Sequence, residues 1–195
     1  MNSIEIARTR ISELSELLPK FESECGASLV EASELMTTAF RAGSKVLICG
    51  NGGSAADSQH FAAELVSAFS RDMKRPALSA IALTVDTSII TAFSNDFGFE
   101  NVFARQVEAH GRKGDVLIAI TTSGSSKNCL AAVVTAKDLG MKTIALTRKG
   151  GKVCAETDLA VEVPSTNTQH IQECHMLGYH IMSELIEEAL YGGTR

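Results

Sequence analysis

The stretch Lys45-Val-Leu-Ile-Cys-Gly-Asn-Gly-Gly-Ser54 decides the fold. A short apolar run with no polar alternation marks a strand buried on both faces, the habit of parallel sheets. Three glycines and the start of a helix follow directly. The same grammar recurs in Asp115-Val-Leu-Ile-Ala-Ile120 before Thr121-Thr-Ser-Gly-Ser-Ser126. It returns in Lys142-Thr-Ile-Ala-Leu-Thr147 before Arg148-Lys-Gly-Gly151, and in Asp158-Leu-Ala-Val-Glu-Val163 before Pro164. Leu78-Ser-Ala-Ile-Ala-Leu83 is a fifth candidate. Helical patterns at about 54–70, 87–93, 99–111, 128–139 and 168–190 separate these runs. Alternating strands and helices predict a doubly wound α/β fold with about five parallel strands.

Upstream, Ile4, Ala7, Ile11, Leu14, Leu18 and Phe21 follow a heptad-like spacing. Pro19 is expected to kink or end that first helix. A second helix is expected from Ala27 to Ala42, stopping at Gly43. This 1–43 segment either packs on its own domain or pairs with another subunit. The 195 residues fit a single domain spanning 1–195, within the range of ~100–200 residues.

Hydrophobic residues are 45% and charged residues 21%, which excludes disordered and collagen-like chains. The net charge of −5 argues against nucleic-acid binding as the main function. Five cysteines, none spaced as CxxC, fit free thiols in a reducing compartment. The charged N-terminus has no apolar signal segment, and no run approaches the ~18 apolar residues of a membrane span. A cytoplasmic protein is expected.

Ligands of open α/β sheets bind beyond the carboxyl ends of the strands. Gly50-Asn-Gly-Gly-Ser54 lacks the Lys of a P-loop. It matches the dinucleotide pattern only loosely, and Asp72, at the spacing of the ribose-binding acid, precedes the second strand rather than following it. The Thr121–Ser126 loop offers five hydroxyls at a helix start, where the dipole favours a dianion. Capping a helix needs one or two hydroxyls. A phosphate monoester is the expected ligand.

His60 and Glu64 share one helix face. The last helix adds Gln172, Glu173, His175 and His180. Together they suggest a divalent-metal or acid/base site, and spacing does not choose between His175 and His180. Gln172 and His180 are eight residues apart, about 12 Å along a helix. To share one metal they must lean together or come from two subunits.

In combination, the Gly50–Glu64 stretch, Ser94-Asn-Asp-Phe-Gly-Phe99, Ala104-Arg-Gln-Val-Glu108, the Thr121–Ser126 loop and Ile171-Gln-Glu-Cys-His175 resemble the sugar-isomerase (SIS) domain family, in its heptose-phosphate isomerase branch. The resemblance implies conversion of sedoheptulose 7-phosphate to D-glycero-D-manno-heptose 7-phosphate, toward ADP-heptose and surface polysaccharide. It also implies a homotetramer with active sites between subunits. The implied metal ligands are His60, Glu64, Gln172 and His180, around one zinc per subunit. The implied substrate contacts are Asn51, Gly52, Gly53, Glu64, Asn95, Asp96, Thr121, Thr122, Ser123, Ser126 and Gln172. Glu64 and His180 would form the proton-transfer pair. Non-catalytic relatives include a regulator that binds the replication initiator and lacks the acid and the histidine at the positions of Glu64 and His180. Ala68 and His170 stand where isomerases of the family commonly carry Arg, and Arg71, Lys74 or Arg75 are the expected substitutes. Arg148-Lys-Gly-Gly151 reads as a solvated turn and Lys127 as a surface lysine.

Overall fold

A computed structural model describes residues 2–192. Five parallel strands form one sheet in the order β2-β1-β3-β4-β5: β1 (Val46–Gly50), β2 (Ala80–Ala82), β3 (Val116–Thr121), β4 (Lys142–Arg148) and β5 (Leu159–Val163). Each central strand is apolar on both sides because both sides are covered. Val46 and Ile48 of β1 join one core, and Leu47 and Cys49 join the other. The first core lies under α1 (Ser3–Arg41), α2 (Gly53–Val66) and α6 (Thr168–Tyr191). The second lies under α4 (Val102–His110) and α5 (Lys127–Asp138). Between β2 and α4, α3 (Thr87–Phe97) has no fully buried residue.

Chain order reverses between β1 and β3. The loops leaving these two strands therefore diverge to opposite faces and open a crevice, the usual ligand site of such sheets. Asn51 and Asn128 close its floor with a reciprocal amide pair, 2.8 and 2.9 Å.

The N-terminal segment departs from expectation. One unbroken helix, α1, replaces the two predicted helices and carries Pro19 inside it. Pro19 frees only the Ser15 carbonyl, and both residues are exposed, so water satisfies that group. On the opposite face, Leu17, Phe21, Cys25 and Leu29 are buried and hold the helix continuous. Asn2 and Glu5 form a capping box that starts the helix. The earlier apolar residues Ile4, Ile6 and Ile11 remain about half exposed. No helix among the described residues is long and apolar enough to cross a membrane.

Candidate active site

Helices α2 and α6 lie side by side and run in the same direction. Gln172 sits against Gly53, where a Cβ would overlap its amide. One turn on, Gln172 Nε2 donates to Asp57 Oδ2 at 3.3 Å. Two turns further along α6, Tyr179 stacks on Phe61 of α2, with ring centroids 5.2 Å apart.

This pairing brings His60, Glu64 and His180 together. One ligand atom from each lies within 4.8 Å of the others. His60 Nε2 is 3.0 Å from Glu64 Oε1, and the His60 and His180 rings meet edge to face at 5.0 Å. Two imidazole nitrogens and a carboxylate oxygen form a donor set that suits zinc and leaves a coordination position for substrate or water. Burial, followed by the charge of His60, pushes His180 below the usual histidine range, while Glu64 opposes this. The ring is neutral at pH 7.

His175, the alternative to His180, lies elsewhere. It is fully buried beside Thr147 of β4, and neither ring nitrogen has a hydrogen-bond partner. Gln172 approaches the cluster only through other side chains. Asp57 accepts from the Gln172 amide and lies near the Tyr179 hydroxyl. The Tyr179 hydroxyl lies 2.8 Å from His60 Nδ1. Burial raises the carboxyl of Asp57, whereas Gln172, His60 and Tyr179 favour its charged form. Burial is also the main cause that raises the Tyr179 phenol. Neither Asp57, one turn before His60, nor Tyr179 carries a local pattern that marks it for the site.

Across the crevice, Thr121 Oγ1 lies 3.0 Å from Ser126 Oγ and 3.3 Å from Ser123 Oγ. Ser126 stands at the N-cap of α5, yet its hydroxyl caps no helix amide. The hydroxyls are gathered on each other at a helix start whose first amides point outward, an arrangement suited to a phosphate. Thr122 is half-buried in the same loop. Arg148 Nε donates to the Ser123 carbonyl at 3.2 Å and braces the loop, and the Lys149–Gly150 turn beyond it is exposed, as expected. Lys127 pairs with Glu100 at the surface.

Asn95 and Asp96 bond to each other on exposed α3 (2.8 Å). Asp96 lines an open groove of about 740 Å³ between α3, α4 and α5, apart from the histidine cluster.

The substitutes expected for the missing arginines need correction. Arg75 is fully buried against Glu187 at 2.7 Å, and its other donors bind the Glu64 and Leu65 carbonyls. It caps the end of α2 and is withdrawn from any ligand. Glu187 also accepts from the Phe69 and Ser70 amides, which sets the Phe69 ring 5.6 Å from His180. His170 bonds Glu173 of its own helix and Glu13 of α1, and these two carboxylates raise its affinity for a proton.

Comparison with known proteins agrees with this architecture. The SIS domain model matches residues 11–148. The phosphoheptose isomerase of Akkermansia muciniphila is 44% identical over 97% of this chain and 99% of its own length. That of Helicobacter pylori is 51% identical over 88% of this chain and 89% of its own. The solved phosphoheptose isomerase of Neisseria gonorrhoeae superposes with a TM-score of 0.90 at 43% identity, covering 96% of this chain and 100% of that one. The Francisella tularensis enzyme gives 0.92 at 38% identity, with the same coverage. Two glycine- and hydroxyl-rich loops at a sheet reversal, facing a His–Glu–His cluster, thus occur on a chain that belongs to the phosphoheptose isomerases of the SIS domain family.

Proposed function

We propose that the chain isomerises sedoheptulose 7-phosphate to D-glycero-D-manno-heptose 7-phosphate in heptose biosynthesis. The observation that carries this reading is the His60–Glu64–His180 cluster, with His60 and Glu64 on α2, the helix that leaves the β1 loop. The Thr121, Thr122, Ser123 and Ser126 hydroxyls and the first α5 amides hold the phosphate. Asn51, Gly52 and Gly53 supply backbone and amide contacts to the sugar. His60, Glu64 and His180 would hold zinc, one per subunit, which would polarise the sugar carbonyl and stabilise negative charge on the enediol oxygens.

Ketose-to-aldose conversion removes a proton from C1 and places one on C2. Glu64 takes the C1 proton through its carboxylate. His180, neutral at pH 7, exchanges protons with the oxygens on C1 and C2. A carboxylate bound to a cation is a weaker base, so Glu64 would serve as the base in its unbound form.

Asn95 and Asp96 stand on α3, a helix with no fully buried residue that leaves Phe97 71% exposed. Together with the bare apolar start of α1, this supports a homotetramer in which α3 carries Asn95 and Asp96 into a partner's site. Gln172 then contacts sugar in its own subunit, or metal across a subunit boundary. The five free thiols fit a cytoplasmic enzyme.

The test is conversion of sedoheptulose 7-phosphate followed by NMR, with and without zinc. Wild type should form the aldose, and Glu64→Gln should be slower by about 10²–10⁴-fold. A folded, zinc-loaded wild type that leaves this sugar untouched but converts another ketose phosphate would overturn the substrate. Conversion of neither would favour a phosphosugar-binding regulator.

A further inference from the structure

The Thr121–Ser126 loop offers hydroxyls and a helix start but no charged side chain. A phosphate monoester brings about two negative charges at pH 7, and a helix start offsets about half of one. Two cations adjoin the loop. Lys127, the first residue of α5, is held by Glu100 at 2.6 Å. Arg148 ends β4, and the sheet register sets its place. Thr121 pairs with Thr147, so Arg148 stands one residue past the partner of the loop's first hydroxyl. The turn after β4 packs on the loop backbone to backbone. Val153 N donates to the Gly124 carbonyl at 2.9 Å, and a Cβ on Gly124 would run into the Gly151 Cα. From this fixed base, half-buried Arg148 donates through Nε to the Ser123 carbonyl at 3.2 Å. The hydroxyl of the same Ser123 lies 3.3 Å from Thr121 Oγ1 and accepts from the Ser125 amide at 3.2 Å. The guanidinium is thus tied to a member of the hydroxyl group. Arginine carries five N–H donors in a planar fork, and the bond to Ser123 uses one of them. Among the described residues, neighbouring Lys149 pairs with Glu24, whereas Arg148 has no carboxylate within ion-pair reach.

We propose that Arg148 is a substrate-binding residue: its guanidinium supplies the positive charge that the hydroxyl loop lacks, with Nε anchored on Ser123 and the terminal nitrogens donating to the phosphate of the sugar. Arginine suits this double duty because its fork is rigid, stays charged at every working pH and matches phosphate oxygens two at a time. Arg148 brings its charge without breaking an ion pair, whereas Lys127 would first have to leave Glu100. Arg75 is committed to Glu187. The inference rests on the hydroxyl loop holding the phosphate, as proposed above.

Arg148→Gln separates charge from bracing. The glutamine amide nitrogen stands as many bonds from Cβ as the arginine Nε, so it can still donate to the Ser123 carbonyl. Arg148→Met removes both the charge and the donor, and Arg148→Lys keeps the charge alone. KM and kcat for sedoheptulose 7-phosphate are measured on zinc-loaded protein, together with the dissociation constant of inorganic phosphate by calorimetry and urea midpoints as a check on folding. Arg148→Gln and Arg148→Met should raise KM and the phosphate dissociation constant alike, by about 10-fold, with kcat changing less. Arg148→Lys should fall between them and wild type. Added salt should weaken phosphate binding more in wild type than in Arg148→Gln. If bracing were the whole role, Arg148→Gln would behave as wild type and Arg148→Met alone would lose affinity, which would overturn the proposal. With conversion by wild type intact, that result would leave the isomerase reading standing. The phosphate constants decide Arg148 even where wild type leaves this sugar untouched. A wild type that neither converts the sugar nor binds phosphate would overturn both.

Discussion

His175 carries a large and testable pH dependence of stability. His175 is 1% exposed, and neither ring nitrogen makes a hydrogen bond of good geometry. Burial lowers it to about 4, against 6.5 in an open chain, with the nearby Thr147 backbone acting in the opposite sense. Between these values the unfolded chain binds a proton that the folded chain refuses. Stability is therefore fully present above pH ~6.5 and is lost as pH falls toward 4. From pH 7.5 to pH 5 this single group removes about 2 kcal/mol. His170 acts in the opposite sense, because its two carboxylates favour the proton in the folded state. The total pH dependence therefore mixes many groups, and only a difference between proteins isolates one. His175→Leu keeps most of the volume and removes the titration. Urea unfolding of metal-free wild type and variant is measured at pH 7.5 and pH 5, at one protein concentration, because assembly shifts apparent stability. The variant should lose about 2 kcal/mol less than wild type across that interval. Equal losses in the two proteins would refute the reasoning, since they would mean that His175 protonates as easily when folded as when unfolded.

Two further substitutions probe the supports of the site. Glu187→Ala leaves the Arg75 guanidinium buried without its partner and the Phe69 and Ser70 amides unpaired. It should cost about 3–5 kcal/mol in urea unfolding and speed amide hydrogen exchange across residues 67–75. Gly124 has φ +66°, and a Cβ there would run into the Gly151 backbone. Gly124→Ala should therefore displace the hydroxyl loop and raise KM for the phosphorylated sugar severalfold while kcat changes less; steady-state kinetics decide it, and an unchanged KM would remove the loop from phosphate binding.

What could be read from the chain beforehand followed what is local in sequence. Lys45–Cys49 announces a central parallel strand because both of its faces are buried, and burial on two faces erases alternation. The Thr121–Ser126 loop stands out because five hydroxyls exceed what a cap requires, and the Ser126 hydroxyl at the N-cap of α5 indeed bonds no helix amide. Pro19 misled because its effect depends on which face of the helix loses a bond, and that face is fixed only by packing against α6 and β5. Arg75 and Glu187 are 112 residues apart, and neither has a local signature that separates a buried clamp from a solvated charge.

The spacing between Gln172 and His180 is the most instructive case. Along one helix the two are about two turns apart, which reads as an obstacle to a shared site. The parallel course of α2 alongside α6 changes its meaning. Each residue of α6 that matters has its counterpart at the same level of α2: Gln172 with Gly53 and Asp57, Tyr179 with Phe61 and His60, His180 with Glu64. The two-turn separation is the length over which Asp57 and Tyr179 can be interposed. Asp57 holds Gln172 and Tyr179 holds His60 at two levels of the same helix pair, and Gln172 and His60 need not touch. Had α6 run antiparallel to α2, the same spacing would have set Gln172 beside the end of α2 and left His60 with no partner for its second nitrogen.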